Sequence, residues 1–175
     1  VTVYDVTFRD QSGPQITIQS ASGSLGGPYA DDGSIACSRF LGPPGGFPSA
    51  CSEITGIDAA LVRGWTVRNN LFENLSCATS GVRTVVFDDG SRDTRIVNNR
   101  FINSQMNIRL GDSGGAGRPY TDARPPQCQF QPDHWGGVVC NNLIVGLGVP
   151  MTGGPDFEEG ISAWNTCDTR IMHNT

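Results

Sequence analysis

Lysine is absent from this 175-residue chain, and all 12 basic residues are arginine. The absence reads first as a coding bias, although arginine is also the better bidentate partner for carboxylates. Nowhere is the chain apolar for long enough to span a bilayer, which excludes a transmembrane helix. The six cysteines (Cys37, Cys51, Cys77, Cys128, Cys140 and Cys167) include no CxxC pair, which excludes a zinc ribbon. A formal charge of −5 argues against a nucleic-acid surface, which needs a basic stripe. Good helix formers are scarce. In their place 23 Gly and 11 Pro punctuate short runs of β-branched and aromatic residues, which predicts many strands joined by turns and an all-β fold.

What is present is a recurring phrase: an apolar residue, a free position, two residues that are mostly Asn or small, then apolar residues again. It reads Val67-Arg68-Asn69-Asn70-Leu71-Phe72, Ile96-Val97-Asn98-Asn99-Arg100-Phe101 and Val139-Cys140-Asn141-Asn142-Leu143-Ile144. Ile171-Met172-His173-Asn174-Thr175 begins it again, and weaker copies stand at Val3–Phe8 and Ile35–Phe40. The phrase starts at 3, 35, 67, 96, 139 and 171, in steps of 32, 32, 29, 43 and 32. A unit of this size that recurs is the mark of a solenoid.

Strand side chains alternate with period two, so the Asn pair between apolar positions marks a corner. Asn tolerates the left-handed backbone that a corner requires. If units stack, Asn70, Asn99, Asn142 and Asn174 align, and their amides can hydrogen-bond along the stack. Each phrase is followed by a second apolar alternation: Ile16-Thr17-Ile18, Ile57-Asp58-Ala59, Val85-Val86-Phe87, Ile108-Arg109-Leu110 and Ile161-Ser162-Ala163. Six units stacked at the strand spacing of about 4.8 Å predict a rod roughly 30 Å long.

The segments GWTVRNNLFENL, DTRIVNNRFINS and CDTRIMHNT resemble repeats of right-handed parallel β-helix proteins, the pectate-lyase-like superfamily. GIDAALVRGWTVRNNLFENLSC, GSRDTRIVNNRF and FEEGISAWNTCDTRIMHNT resemble, more narrowly, a group of bacterial extracellular β-helix proteins. The resemblance covers nearly the whole chain. It implies one domain over residues 1–175, a right-handed parallel β-helix (a single-stranded solenoid) of about six coils, secreted or at the cell surface. Complete members carry a cap and further coils, so the chain is expected to be a fragment lacking end caps, prone to end-to-end self-association through its edges. One to three disulfides are expected in such a compartment, with the pairing left open.

In the polysaccharide lyases and hydrolases of this fold the substrate groove runs over one parallel sheet. Here the outward row of the second strands reads Thr17, Asp58, Val86, Arg109, Ser162. Beside it, Asp88, Asp89 and Asp112 are candidate ligands for a Ca²⁺, a hard cation that takes six to eight oxygens. In a lyase Arg109 would be the base, and Asp88 and Asp112 would complete the catalytic set. Hydrolysis would instead use two carboxylates at a defined separation. The bland alternative is an acidic turn at Asp88-Asp89-Gly90-Ser91 and an Arg109 paired with an acid.

The long insertion at about 111–136 accounts for the 43-residue step and carries Tyr120, His134 and Trp135. With Asp58 and Trp164, these are the candidate substrate-binding residues, aromatic rings being suited to stacking on sugars. The GDSGG within the insertion echoes a serine-protease phrase, but both histidines follow it and the repeat excludes that scaffold. Two functions are therefore expected: a carbohydrate-active lyase or hydrolase with polysaccharide as partner, or a non-catalytic carbohydrate-binding or surface-structural rod.

Overall fold

The computed structural model describes residues 1–19, 28–44, 54–77, 82–112, 117–120, 125–128, 130–146 and 159–175. Cys51 and the insertion segments 113–116, 121–124 and 129 lie outside the described residues. The fold is all-β, with no helix among the described residues. No helix there is long and apolar enough to cross a membrane.

Short strands stack in parallel into four sheets, which the chain visits in a constant order. The first sheet holds the repeated phrase: Thr2–Tyr4, Ser34–Ala36, Thr66–Arg68, Arg95–Val97, Val138–Cys140 and Arg170–Met172. Its register pairs Val3, Ile35, Val67, Ile96, Val139 and Ile171 in one line, so the phrase does mark the repeat. The second sheet follows the corner with Thr7–Arg9, Arg39–Leu41, Leu71–Glu73, Arg100–Ile102 and Leu143–Val145. The third contains Ile16–Ile18, Thr55–Ala60, Arg83–Asp88, Met106–Leu110 and Glu159–Ala163. A fourth, of two-residue strands at Ser91–Arg92, His134–Trp135 and Thr166–Cys167, closes the later turns. The result is a solenoid-like stack.

The core is the inner line of each sheet. Ile35, Val67, Ile96 and Val139 are buried from the first; Ile57, Val85 and Ile108 from the third. In the second, Phe8, Phe40, Phe72 and Phe101 lie in register, with successive ring centroids 5.0, 4.6 and 4.8 Å apart. That spacing is the strand spacing, so aromatic stacking follows from register rather than competing with it. Each buried Phe stabilises the stack by roughly 1.5–3 kcal/mol.

The two corner residues divide the work. The first takes left-handed backbone: Asn69, Asn98, Asn141 and His173 have φ of 57°, 57°, 55° and 54°. The second points inward and forms a ladder. Asn70 Nδ2 donates to Asn99 Oδ1 at 3.1 Å, Asn99 Nδ2 to Asn142 Oδ1 at 3.0 Å, and Asn142 Nδ2 to Asn174 Oδ1 at 2.9 Å. Each of these amide oxygens also accepts the backbone N–H of the preceding Asn, and each Nδ2 of Asn70, Asn99 and Asn142 reaches a first-sheet carbonyl one turn back. Asn70, Asn99 and Asn142 are at most 2% exposed, and full satisfaction is what permits that burial. Ser38, which lacks an amide, ends the ladder upstream by donating its N–H to Asn70 Oδ1.

One disulfide joins Cys128 to Cys167, with Cα atoms 5.8 Å apart, and fastens the insertion to the fourth sheet. Cys77 is disulfide-bonded as well, whereas Cys37 and Cys140 are free and half-buried.

Candidate functional site

The third sheet carries the acidic groups. Its register aligns Thr17, Asp58, Val86, Arg109 and Ser162 as Cα partners from strand to strand. That row is not an open floor, because Val86 is 2% and Ser162 8% exposed. Asp58 and Arg109 are half-buried within it. Asp88 lies at the end of its strand, two residues beyond Val86 and so on the same side of the sheet.

Past Leu110 the chain turns at Gly111, where φ is 73° and an added Cβ would strike the Trp164 carbonyl. Glycine is required at that point. The turn delivers Asp112 to two guanidinium groups: Arg109 Nη2 is 2.6 Å from its Oδ1, and Arg83 Nη1 is 3.0 Å from its Oδ2. The Asp112 N–H donates to Asp133 Oδ2 at 3.1 Å. Asp112 is thus held as the centre of an ion triad, and Arg109 is committed as its partner. The Arg109 guanidinium also lies 5.7 Å from the ring of Trp164, which is 55% exposed.

Asp88 differs from its neighbours. Burial pushes its carboxyl from 3.8 up to about 7, reinforced by the charges of Asp89, Asp58 and Asp112 and opposed by Arg83. Asp89, in left-handed conformation with φ of 52°, is also raised, by burial and then by Asp133 and Asp112. The structure thus brings Asp58, Asp88, Asp89 and Asp112 into one electrostatic group. Among the described residues no set of three or more His, Cys, Asp or Glu side chains is disposed to hold a metal ion. The group is therefore better described as coupled carboxyls with two arginines than as a calcium cage.

The other candidates form a separate wall. His134 is fully buried; its Nε2 lies 3.0 Å from Thr94 Oγ1 and its Nδ1 3.4 Å from Thr169 Oγ1. Burial pushes its imidazole down to about 3, so it is neutral at physiological pH. Trp135 is 5% exposed, with the Arg92 guanidinium 4.3 Å from its ring centre. Arg92 is shared with Tyr120, at 4.8 Å, and Tyr120 donates its hydroxyl to Gly90 O at 2.8 Å.

Arg118 continues the stack, 4.7 Å from the Tyr120 ring and 3.6 Å from that of Tyr29. It also forms a bidentate pair with Asp31, at 2.6 and 2.7 Å. This alternation of guanidinium and ring locks residues 117–120 onto the stack. Of the aromatic candidates, Trp164 alone stays largely open to solvent beside the carboxyl group, while Tyr120 and Trp135 serve the wall.

Sequence reasoning did not find Asp133, Arg83 or the Arg118–Asp31 pair. Asp31 and Arg118 are 87 residues apart, and no local pattern joins them. Asp133 stood unremarked inside the insertion. Comparison of the chain with protein-family models, with curated proteins and with solved structures finds no match.

Proposed function

We propose that the chain is a right-handed parallel β-helix of the pectate-lyase-like kind and that its third-sheet face acts on polysaccharide as a glycoside hydrolase. The observation that carries the reading is Asp88, a carboxyl held near pKa 7 beside the charges of Asp58 and Asp112. Glycoside hydrolysis uses two carboxyls whose environments separate their roles, one a proton donor and one ionised. In this reading Asp88 protonates the leaving oxygen, Asp58 activates water or attacks, and exposed Trp164 stacks on a sugar ring. Arg83 and Arg109 hold Asp112 as fixed negative charge that keeps the Asp88 proton in place.

Hydrolysis is favoured over β-elimination because Arg109, the only base a lyase mechanism had here, is bound to Asp112 at 2.6 Å. A neutral polymer is favoured over a uronate at this face, because carboxyls outnumber the two arginines. The Cys128–Cys167 disulfide is compatible with an extracellular setting. The burial of Val86 and Ser162 along the row favours a second reading, a non-catalytic rod that binds glycans at Trp164 without a continuous groove.

The test is release of reducing ends from a panel of neutral and uronic polysaccharides, with and without chelator. Turnover that follows a limb near pH 7 and falls at least about 10²-fold in Asp88→Asn supports the hydrolase. Unsaturated uronate products would replace it with a lyase, and binding without turnover on every substrate would leave the rod.

A further inference from the structure

The net charge of −5 conceals a segregation of sign. Among the described residues the arginines beside the aspartates are engaged: Arg63, Arg83, Arg92, Arg109 and Arg118 each pair with an aspartate. Along the first sheet and its corner with the second, Arg39, Arg68, Arg95, Arg100 and Arg170 are exposed and make no ion pair among the described residues: Arg95 and Arg170 open first-sheet strands, and Arg68, Arg39 and Arg100 flank the corner. Two shallow depressions lie there, one at the corner and one over the outer face of the first sheet. One, of about 350 Å³, includes Arg39, Leu71 and Arg100; the other, of about 490 Å³, includes Arg95, Val138 and Arg170. Nearby carboxylates are few: Asp5, half-buried Glu73, exposed Asp168 two residues before Arg170, and Asp93, which is already bound by Arg63 and Arg92.

Register fixes the spacing of these charges. Arg39, Leu71 and Arg100 are successive Cα partners, as are Arg95, Val138 and Arg170. In both lines two arginines stand two rungs apart, roughly 9.6 Å, with an apolar residue between them. Nucleic acid presents a phosphate about every 3.4 Å along each strand, far denser than this surface. An extended disaccharide has a repeat close to two rungs, and the apolar face of an intervening sugar suits Leu71 or Val138.

We propose that this face, the first sheet with its corner to the second, binds a linear polysaccharide carrying one carboxylate per disaccharide, laid along the stack with its acids on alternate rungs. The site is independent of the acidic face and of the hydrolase reading: it is a second surface for a polymer of opposite charge character.

The experiment is affinity electrophoresis of the intact protein in gels containing hyaluronan (one carboxylate per disaccharide), polygalacturonate (one per sugar), dextran or single-stranded DNA. Hyaluronan should retard the protein most, and the retardation should vanish as salt rises. Arg100→Ser should weaken hyaluronan binding roughly fivefold, and Arg100→Ser with Arg170→Ser by more than about tenfold. These residues are exposed, so the variants retain the core. Arg83→Ser, a matched charge loss on the acidic face, and Asp88→Asn should both retain hyaluronan binding, so this proposal and the hydrolase can fail separately.

No retardation at low salt, tighter binding of DNA than of hyaluronan, or an equal loss in Arg83→Ser would each overturn the proposal. So would polymer-free self-association that Arg100→Ser abolishes, since that would assign this arginine face to the acidic face of a second copy.

Discussion

Replacing Asp88 by asparagine should stabilise the protein at pH 8 and leave it nearly unchanged at pH 4. A carboxyl whose folded-state pKa lies above its unfolded value binds its proton more tightly in the fold. Below 3.8 Asp88 is neutral in both states and costs nothing; between 3.8 and about 7 the unfolded chain alone ionises and stability falls; above 7 the full cost is present. Each unit of displacement is worth about 1.4 kcal/mol, so the span from 3.8 to about 7 corresponds to about 4 kcal/mol. Water reaching the half-buried carboxyl screens part of this and leaves about 2 kcal/mol. Asparagine has nearly the same shape and no charge at any pH, so it escapes the cost. Urea unfolding of both proteins at each unit from pH 4 to 8 gives the difference directly, with every other titrating group cancelling. A difference that is flat with pH, or an asparagine variant less stable at pH 8, would refute the electrostatic account of Asp88. Under the hydrolase reading the same variant gains stability and loses turnover, the exchange expected where an active site stores an unfavourable charge.

Asn99→Ala strips the Asn70 backbone N–H and the Val67 carbonyl of partners inside a buried ladder and should cost about 2–4 kcal/mol in urea unfolding. Asn98→Gly, at the left-handed position beside it, should stay within about 0.5 kcal/mol, and similar losses in the two variants would show that the corner residues do not divide their work. Removing the Cys128–Cys167 bridge, whose ends are 39 residues apart, by the double substitution Cys128→Ser and Cys167→Ser, which leaves the Cys77 disulfide intact, should lower stability by about 4 kcal/mol, measured as a shift in unfolding midpoint without reductant. His134, held down to about 3, should show constant imidazole NMR shifts from pH 8 to 4. It contributes stability that is lost as pH falls below the unfolded value of 6.5; a midpoint near 6.5 would mean the imidazole is not enclosed by Thr94 and Thr169.

The repeat was legible because the same physical demand recurs on every turn. A corner that needs left-handed backbone and an inward amide selects Asn-Asn at 69–70, 98–99 and 141–142, and the apolar residues on either side must face one core. Both signals are local, so reading them in order also set the register of the third sheet, including the row Thr17, Asp58, Val86, Arg109, Ser162. The fourth sheet was not legible, since two-residue strands such as His134–Trp135 have no periodicity to detect.

The sequence by itself therefore determined the all-β class, the length of the repeat and the alignment of one turn on the next. Tertiary structure decided the chemistry. Whether Asp112 meets a cation or two guanidinium groups depends on where the Gly111 turn points it. Whether Tyr120 and Trp135 face a ligand or grip Arg92 depends on how the insertion folds back. The sorting of arginines into a paired set and an exposed set depends on which corner each rung turns toward the acids. Packing between turns is periodic and can be read from spacing, whereas electrostatic environment is set by groups distant in sequence and exists only once the stack has formed.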